Sequence, residues 1–272
     1  MPPSVEASQP QPDPQHERAM ADRCDLNTAL LRRVGAQLGF EADLSAAAVA
    51  RFERYASEIV VANAGLNLTR ITRPDEIAIR HFLDSLICLR GLGPLAERET
   101  LRLIDVGAGA GLPGLALKLV RPGWQLSLAE SVGKKARFLE GLVAQPALGL
   151  AGTRVLCARA EDLGRAPEHR AAYDLALARA VAALPTLVEY LLPLLRVGGR
   201  ALALKGAEIG AELDAAAPAI EALGGRLVEA QPYRLPGLPE ARHLIVIEKR
   251  SPTPERYPRR AGLPARSPIG AG

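Results

Sequence analysis

Residues 101–114 read LRLIDVGAGAGLPG, and this stretch decides the fold class. An apolar run ends at Asp105, and alternate glycines then follow at Gly107, Gly109 and Gly111 before a helical pattern begins. A strand, a glycine-rich turn and a helix form a nucleotide-binding corner, because glycine adopts unusual backbone angles and lets a ligand approach the backbone closely. The stretch therefore predicts a nucleotide site at this turn.

Strand-like runs and helical segments alternate after the turn. The strand-like runs are LRLIDV, WQLSLAE, TRVLCAR, YDLALAR, RALALKG, RLVEAQPYRL and HLIVIEK. The helical segments are about 115–120, 134–143, 184–195 and 207–223, and the stretch around 161–171 is a brief helix or only a turn. This alternation predicts an α/β fold with a parallel sheet covered on both faces.

The last two strand-like runs follow each other without a helix, so they predict a terminal antiparallel hairpin. Five βα units and then a hairpin is the order of a class I S-adenosylmethionine-dependent methyltransferase sheet, which is Rossmann-like. A dinucleotide-binding Rossmann domain has six parallel strands instead. The order therefore favours the methyltransferase sheet.

The chain divides into four predicted segments. They are a disordered extension at 1–24, a helical lead-in or cap at 25–98, the Rossmann-like domain at 99–249 and a basic irregular tail at 250–272. Within the lead-in, Ser45 and Asp75 are predicted to cap helices, and the last helix ends near Gly91.

The composition of the 272 residues excludes several classes of protein. Hydrophobic residues make up 48% and aromatic residues 4%, which permits a sizeable core but disfavours a base-stacking RNA platform. No uncharged apolar run reaches about 18 residues, and no Cys or His pair has the spacing of metal ligands. We therefore expect a soluble cytoplasmic protein without a metal or a membrane span.

Charge is concentrated near the carboxyl terminus. Residues 249–272 contain six basic residues and one acidic residue, within a net charge of +4 for the whole chain. Such a tail either contacts phosphate groups without reading sequence or is merely solvated, and charge alone does not choose between the two.

The glycines fit two ligands. Gly109, Gly111 and Gly114 match the dinucleotide fingerprint, which supports an NAD-type oxidoreductase as an alternative. Pro113, however, removes an N–H donor from the turn that would cradle a pyrophosphate, whereas S-adenosylmethionine has no phosphate. Asp105, two residues before the first glycine, is also placed to meet a ligand amine or hydroxyl. These features favour S-adenosylmethionine.

Other polar residues follow the remaining strand-like runs, at the edge where α/β sheets bind ligands. Glu130 is suited to accept hydrogen bonds from ribose hydroxyls, and residues 160–162 are placed to face an adenine. Arg179 and Lys205 end the fourth and fifth runs. These residues also have interpretations without a ligand. The acids of 160–162 are favourable at the N-terminus of a helix, and Arg179 could form an ion pair with another part of the protein.

Several motifs together resemble one known family. In chain order they are Asn67-Leu68-Thr69, Arg80-His81-x-x-Asp84, the loop 105–114, Glu130-Ser131-x-Gly133-Lys134-Lys135, Arg159-Ala160-Glu161, Ala178-Arg179-Ala180, Ala203-Leu204-Lys205-Gly206, residues 242–247 and the tail 256–264. The chain resembles the RsmG (GidB) family of small-subunit ribosomal RNA guanine-N7 methyltransferases over about residues 26–268.

The resemblance implies methyl transfer from S-adenosylmethionine to N7 of one guanine in 16S ribosomal RNA, with the small ribosomal subunit as partner. It implies cofactor contacts at Gly107, Leu112, Ala160, Glu161 and Arg179. To these the residue pattern adds Asp105, Gly109, Gly111 and Glu130. The chain departs from the family at Glu130, where Asp is usual, and at Ala178, where Ser is usual. We expect a monomer.

Five residues are pocket candidates: Asn67, His81, Asp84, Arg179 and Lys205. Guanine N7 carries a lone pair and no proton, so we assign no catalytic acid or base and expect catalysis by alignment. His81 and Asp84, three residues apart on one helix, are also interpretable as a packed hydrogen-bonded pair. A non-catalytic ribosome assembly factor on the same fold is the second alternative.

Basic residues after the second strand-like run are candidate RNA contacts. They are Lys134, Lys135 and Arg137, to which Lys205 and the basic tail add charge. A charged helix face is as often only solvated, so both interpretations stay open.

Overall fold

The structure is a computed structural model that describes residues 24–270. The predicted disordered extension therefore lies outside the described residues, apart from Cys24. Among the residues that are described, no helix combines the length and the apolar character needed to cross a bilayer.

Seven strands form one sheet. They are β1 Arg102–Val106, β2 Gln125–Ala129, β3 Thr153–Leu156, β4 Tyr173–Arg179, β5 Leu195–Lys205, β6 Gly225–Tyr233 and β7 Arg242–Lys249. Their order across the sheet is β3-β2-β1-β4-β5-β7-β6. The pairings among the first five strands are parallel, and β7 is antiparallel to both β5 and β6. This arrangement confirms the predicted methyltransferase sheet and its terminal hairpin.

Nine helices surround the sheet in the described part of the chain. They are α1 Thr28–Gln37, α2 Ala46–Leu66, α3 at 74–91, α4 Gly114–Val120, α5 Gly133–Val143, α6 Ala160–Arg165, α7 Leu184–Leu191, α8 Gly210–Ala222 and α9 Leu263–Arg266. Short 3₁₀ turns lie at Gly93–Glu97, Pro146–Leu148 and Leu192–Leu194. The sequence predicts either a brief helix or only a turn around 161–171, and the structure has the short helix α6 at the start of this stretch.

Helix α3 changes its winding along its length. It starts at Pro74, is π-helical over Ile77–Leu83 and ends as a 3₁₀-helix over Ile87–Gly91. The predicted cap at Asp75 is wrong, because proline takes the first helical position and Arg73 precedes it without a side-chain cap. The Asp75 carboxylate instead accepts a hydrogen bond from Asn27, 2.9 Å away.

The lead-in helices pack directly on the sheet. Residues of α1, α2 and α3 belong to one hydrophobic cluster with α4, α5 and one face of the sheet, while α6, α7 and α8 cover the other face. At the centre of the first cluster the ring centroids of Phe52 and Phe82 lie 4.6 Å apart, and both side chains are fully buried. Truncating either ring to alanine removes about 3–5 kcal/mol of stability. Ala108, Ala110 and Leu112 of the glycine-rich turn belong to the same cluster, so the lead-in packs against this turn.

The predicted cap at Ser45 is confirmed, since its hydroxyl accepts a hydrogen bond from the Ala48 N–H at 3.2 Å. The segment after β7, residues 250–270, is mostly irregular and contains only the short helix α9. It returns across α6 and α7 toward α8.

Candidate active site

The glycine-rich loop after β1 has the backbone angles that the sequence predicts. Gly107, Gly109 and Gly111 have φ of 69°, 59° and 99°, a region that favours glycine. A Cβ on Gly107 would lie 2.8 Å from a methyl group of Val181, and one on Gly111 would lie 2.4 Å from the Leu115 side chain. Both positions therefore exclude larger residues.

Asp105 holds the loop from beneath. Its Oδ2 accepts a hydrogen bond from the Gly114 N–H at 2.7 Å, while Oδ1 is buried without a protein partner. The residue is 0% exposed, and burial raises the pKa of its carboxyl to about 7. This placement differs from the predicted contact with a ligand, because the side chain fixes the start of α4 and does not line either cleft described below.

Glu130, after β2, connects two turns. One carboxylate oxygen accepts from the Gly109 N–H at 3.0 Å and the other from the Val132 N–H at 2.8 Å. Each carboxylate oxygen has a second lone pair, so the group can also accept hydrogen bonds from ribose hydroxyls.

Two clefts meet at this loop. The first, about 350 Å³, is lined by residues 68, 69 and 71, Arg80, His81, Asp84, residues 107–110, Leu112, Lys135, Arg179, Ala180 and Arg242. The second, about 200 Å³, is lined by Val106, Gly107, Ala129, Ser131, residues 158–161, Val181 and Tyr190. Gly107 contributes to both walls, so the clefts adjoin at the carboxyl ends of β1 and β4, where α/β sheets bind ligands.

Asp84 is the centre of a buried cluster in the first cleft. It is 1% exposed, and its two oxygens contact Arg242 Nε at 3.0 Å and Arg179 Nη1 at 3.3 Å. The Tyr233 hydroxyl also donates to Asp84, at 2.7 Å. Burial raises the pKa of Tyr233 well above its usual value, so the hydroxyl stays protonated as a donor. The cluster ties α3 to the ends of β4, β6 and β7.

Arg179 forms the ion pair that is one of the two interpretations of its sequence position. It pairs with Asp84, and the same Nη1 donates to the carbonyls of Arg80 at 3.0 Å and His81 at 3.4 Å. π-Helical winding changes the pairing of these carbonyls, and the guanidinium supplies a donor to that of Arg80, while the His81 carbonyl also accepts from the Ser85 hydroxyl at 2.5 Å. Arg179 nevertheless remains in the wall of the first cleft.

His81 is buried and neutral. It is 4% exposed, and burial lowers the pKa of its imidazole to about 3. Its Nε2 lies 3.1 Å from the Thr69 hydroxyl, and its Nδ1 has no hydrogen-bond partner. Asn67, by contrast, is exposed and ends α2 in a left-handed conformation with φ of 49°, so the structure places it outside the cleft walls.

The structure places Lys205, a predicted pocket residue, outside the walls of both clefts. Its Nζ lies 2.6 Å from the Glu212 carboxylate and donates to the Ala182 carbonyl at 3.0 Å. Glu212 lies on α8, a short distance further along the chain, and its charge draws the lysine away from both clefts.

Ala160 and Glu161 lie in the wall of the second cleft. Glu161 is 3% exposed, and one of its oxygens accepts from the Gly262 N–H at 2.8 Å. The backbone of Ala160 begins helix α6, so the amino-terminal end of this helix faces the cleft.

Sequence reasoning missed several residues that shape the site. Tyr55 donates to the Ala110 carbonyl at 2.6 Å, and Tyr233, Arg242 and Tyr190 contact the site as described. For Arg242 a signal existed, because β7 is antiparallel and its first residue must lie beside the last residues of the parallel strands.

The first cleft carries an excess of positive charge. Arg80, Lys135, Arg179 and Arg242 line it together with the single carboxylate of Asp84. This charge suits the carboxylate or phosphate of a ligand. Among the described residues no group of three His, Cys, Asp or Glu side chains is arranged to hold a metal ion.

Comparison with known proteins identifies relatives along most of the chain. The family described as "GidB: rRNA small subunit methyltransferase G" matches residues 48–243. Ribosomal RNA small subunit methyltransferase G of Roseiflexus sp. (strain RS-1) is 50% identical over 221 residues, which is 81% of this chain and 92% of that protein. The protein of the same name from Symbiobacterium thermophilum is 50% identical over 210 residues, 76% of this chain and 84% of that protein.

Solved structures resemble the chain more remotely. A predicted O-methyltransferase from Agrobacterium tumefaciens has a TM-score of 0.47 and 22% identity, covering 62% of this chain and 80% of its own. A 16S rRNA (adenine(1408)-N(1))-methyltransferase variant from Catenulisporales acidiphilia has a TM-score of 0.47 and 13% identity, covering 57% and 87%. From the matched residues and the curated relatives, the chain belongs to the GidB family, rRNA small subunit methyltransferase G.

Proposed function

We propose that this chain transfers the methyl group of S-adenosylmethionine to N7 of one guanine in 16S ribosomal RNA. The observation that carries the proposal is the pair of clefts that adjoin at Gly107, at the ligand-binding edge of a methyltransferase sheet. Membership of the family supports the reaction and its RNA substrate. We further propose that the chain acts in the cytoplasm and as a monomer.

The two clefts suit the two halves of the methyl donor. The second cleft would hold the adenosine half, with Ala160 and Glu161 facing the base. Glu130 lies between the cleft residues Ala129 and Ser131 and accepts from Gly109, so it would reach the ribose from behind the loop. The first cleft would hold the amino-acid half, where the excess positive charge suits its carboxylate. Because a Cβ at Gly107 would meet Val181, glycine keeps the passage between the clefts open. Gly109 and Gly111 would contact the donor through the backbone of the loop, and Leu112 would contact it as part of the wall of the first cleft.

The residues of the site perform alignment and not proton transfer. S-adenosylmethionine supplies an electrophilic methyl group on a sulfonium sulfur. Guanine N7 presents an in-plane lone pair without a proton, so no side chain has to remove one before attack. His81, whose pKa burial lowers to about 3, stays neutral at physiological pH and adds no positive charge beside the guanine that becomes cationic. The protein's contribution is to hold nucleophile and methyl group in line.

Basic groups at the first cleft supply an RNA-binding surface. Lys134 and Arg137 are exposed on the first turns of α5, and Lys135 between them lines the cleft. Arg80, exposed on α3, faces the same cleft. These four side chains are placed to contact phosphates around a guanine that enters the cleft, and such contacts position RNA without reading its sequence.

The structure disfavours a dinucleotide at this loop. A pyrophosphate requires free N–H groups at the start of the helix, but Pro113 has none and the Gly114 N–H donates to Asp105. The assembly-factor alternative predicts the same clefts and differs only in activity, so it is decided by experiment.

Binding and labelling together test the proposal. Calorimetric titration should show S-adenosylhomocysteine binding to the purified protein and no binding of NADH at the same concentrations. Labelled S-adenosylmethionine should then label the RNA, and not the proteins, of small ribosomal subunits from cells that lack this protein. Gly107→Val, which fills the passage, should abolish both binding and labelling. Binding without labelling of any ribosomal RNA would support the assembly factor instead.

A further inference from the structure

The basic segment after β7 is fastened to the domain by an ion pair whose carboxylate is fully buried and whose arginine is 22% exposed. Glu189 on α7 is 0% exposed, and its carboxylate accepts from Arg259 Nη2 at 2.7 Å and Nε at 3.0 Å. The backbone N–H of Arg259 donates to the same carboxylate at 2.7 Å. Three donors from one tail residue thus converge on one internal carboxylate, which fixes the position of the chain at Arg259.

A second contact joins the tail to the second cleft. The Gly262 N–H donates to Glu161, which lines this cleft, at 2.8 Å. Gly262 has φ of 80°, a left-handed conformation that turns its N–H toward the carboxylate. Further on, the buried Thr186 hydroxyl donates to the Pro264 carbonyl at 3.2 Å.

Side chains of the domain hold the preceding part of the tail. Arg165 donates to the Pro258 carbonyl at 2.8 Å, and Arg170 donates to the carbonyls of Tyr257 and Thr253, both at 2.7 Å. Pro258 packs so closely on α6 that a Cβ at Gly164 would lie 2.8 Å from its ring. The tail backbone is therefore held along the length of this segment.

The fastened residues lie behind one wall of the second cleft. Glu161 belongs to α6 and Tyr190 to α7, and both line the cleft. Arg259 is bonded to Glu189, the residue before Tyr190, and Gly262 is bonded to Glu161 itself. The tail thus bridges the two helices that form this wall.

An ion pair at this position points to positioning more than to stability. Burying the charge of Glu189 is costly, and apolar residues of similar size often stabilise a fold equally well. What such a pair supplies is a fixed position for the groups around it. The family match ends at residue 243, so it assigns no role to this segment.

We propose that residues 257–264 brace the adenosine end of the methyl-donor site, and that Glu189 and Arg259 are positioning residues for the donor. The inference rests on the assignment of the second cleft to the adenosine half under the proposed function. The brace holds the Glu161 carboxylate and the α6–α7 wall in the arrangement that receives the donor. Donor binding and tail docking are then coupled, and each strengthens the other.

The first test separates positioning from stability. Glu189→Leu combined with Arg259→Leu replaces the ion pair by apolar residues and so leaves no unpaired buried charge. The variant should stay folded and bind S-adenosylhomocysteine about tenfold more weakly. KM for the donor should rise similarly, with kcat at saturating donor unchanged. Arg256→Leu, at an exposed arginine of the same segment, should leave the affinity within twofold. An unchanged affinity of the folded double variant would overturn the inference.

The second test uses the coupling itself in the unaltered full chain. Saturating S-adenosylhomocysteine should slow hydrogen exchange at the Arg259 and Gly262 amides, which donate to Glu189 and Glu161. Because a bound ligand also slows exchange through global unfolding, the reference is the amide of the buried core residue Leu202 on β5. Slowing at Arg259 and Gly262 that is no greater than at Leu202 would overturn the inference.

A third variant separates failure of the inference from failure of the proposed function. Ala160→Leu narrows the second cleft directly and should abolish S-adenosylhomocysteine binding. If Ala160→Leu abolishes binding while the double variant binds normally, the cleft assignment stands and the brace is wrong. If neither variant affects binding, the second cleft does not hold the donor, so the cleft assignment and the brace are both wrong, while methyl transfer itself is judged by the labelling of ribosomal RNA.

Discussion

The hydroxyl of Tyr55 donates a hydrogen bond to the carbonyl of Ala110, with 2.6 Å between the two oxygens. Tyr55 lies on the lead-in helix α2 and is 1% exposed, and Ala110 lies between two glycines of the loop. Burial raises the pKa of Tyr55, so the phenol keeps its proton and remains a donor. One bond thus ties a helix outside the sheet to the loop that carries the ligand site.

Removal of this hydroxyl should loosen the loop. We expect Tyr55→Phe to lower the free energy of unfolding by about 1 kcal/mol, because a carbonyl partner is lost. Affinity for S-adenosylhomocysteine, measured by calorimetry, should fall about threefold to tenfold. Tyr173→Phe is the matched control, since that hydroxyl lies 2.7 Å from His169 at the start of β4, at the end of the strand away from the clefts. The control should lose comparable stability and keep its affinity; equal affinity in both variants would contradict the prediction.

Asp84 should be essential to stability in a way that exposed acids are not. Asp84→Asn removes the charge that Arg179 and Arg242 share, and loss of one member of a buried cluster costs about 3 kcal/mol. Denaturant unfolding measures this change. Glu76→Gln breaks an exposed pair with Arg80 and should cost less than about 1 kcal/mol. Similar losses in the two variants would show that the cluster is not the joint between α3 and the sheet.

Asp105 should make stability depend on pH. Its folded pKa of about 7 lies above the unfolded value of about 3.9, so between these values the folded state keeps a proton that the unfolded state has lost. The stability that this proton contributes is therefore lost as pH rises toward and through 7. Asp105→Asn cannot titrate, and its stability relative to the native chain should rise by about 2–3 kcal/mol from pH 5 to pH 8. A relative stability that is independent of pH would contradict the burial of the carboxyl.

The chemical step should show no essential base. His81, with a pKa of about 3, is neutral at every pH of the test below, and guanine N7 carries no proton that a base would have to remove. Single-turnover rates at saturating donor and RNA should therefore be flat between about pH 6 and 9. A titration that disappears in Asp105→Asn would belong to the loop, because that residue lies beneath it. A tenfold change in rate for each pH unit that persists in this variant would refute alignment as the mechanism.

The sheet was predictable because alternating runs and glycine-rich turns are local signals. The β/α order, the hairpin and the loop at Gly107 follow from sequence pattern and are confirmed. The placement of Lys205 was not predictable in this way, since its charge is taken by Glu212 on a helix whose orientation depends on tertiary packing. The role of the Tyr55 hydroxyl was equally hidden, because helical periodicity marks the ring as a core residue and says nothing about the oxygen.

The tail shows the same limit more strongly. Its composition is that of a solvated or phosphate-binding segment, yet Arg259 faces inward to Glu189, 70 residues earlier in the chain. Charge counts do not reveal such a pair, because they ignore which acids are buried. The position of Arg242, however, could have been predicted, since an antiparallel last strand must start at the edge where the parallel strands end.

Methylation of guanine N7 in ribosomal RNA can be established by identifying the methylated nucleoside. Small ribosomal subunits from cells that lack this protein would be incubated with the purified chain and labelled S-adenosylmethionine, and the RNA digested to nucleosides. We expect label in 7-methylguanosine alone, from a single position in 16S RNA. Label in any other nucleoside, or no label from a protein that binds S-adenosylhomocysteine, would contradict it.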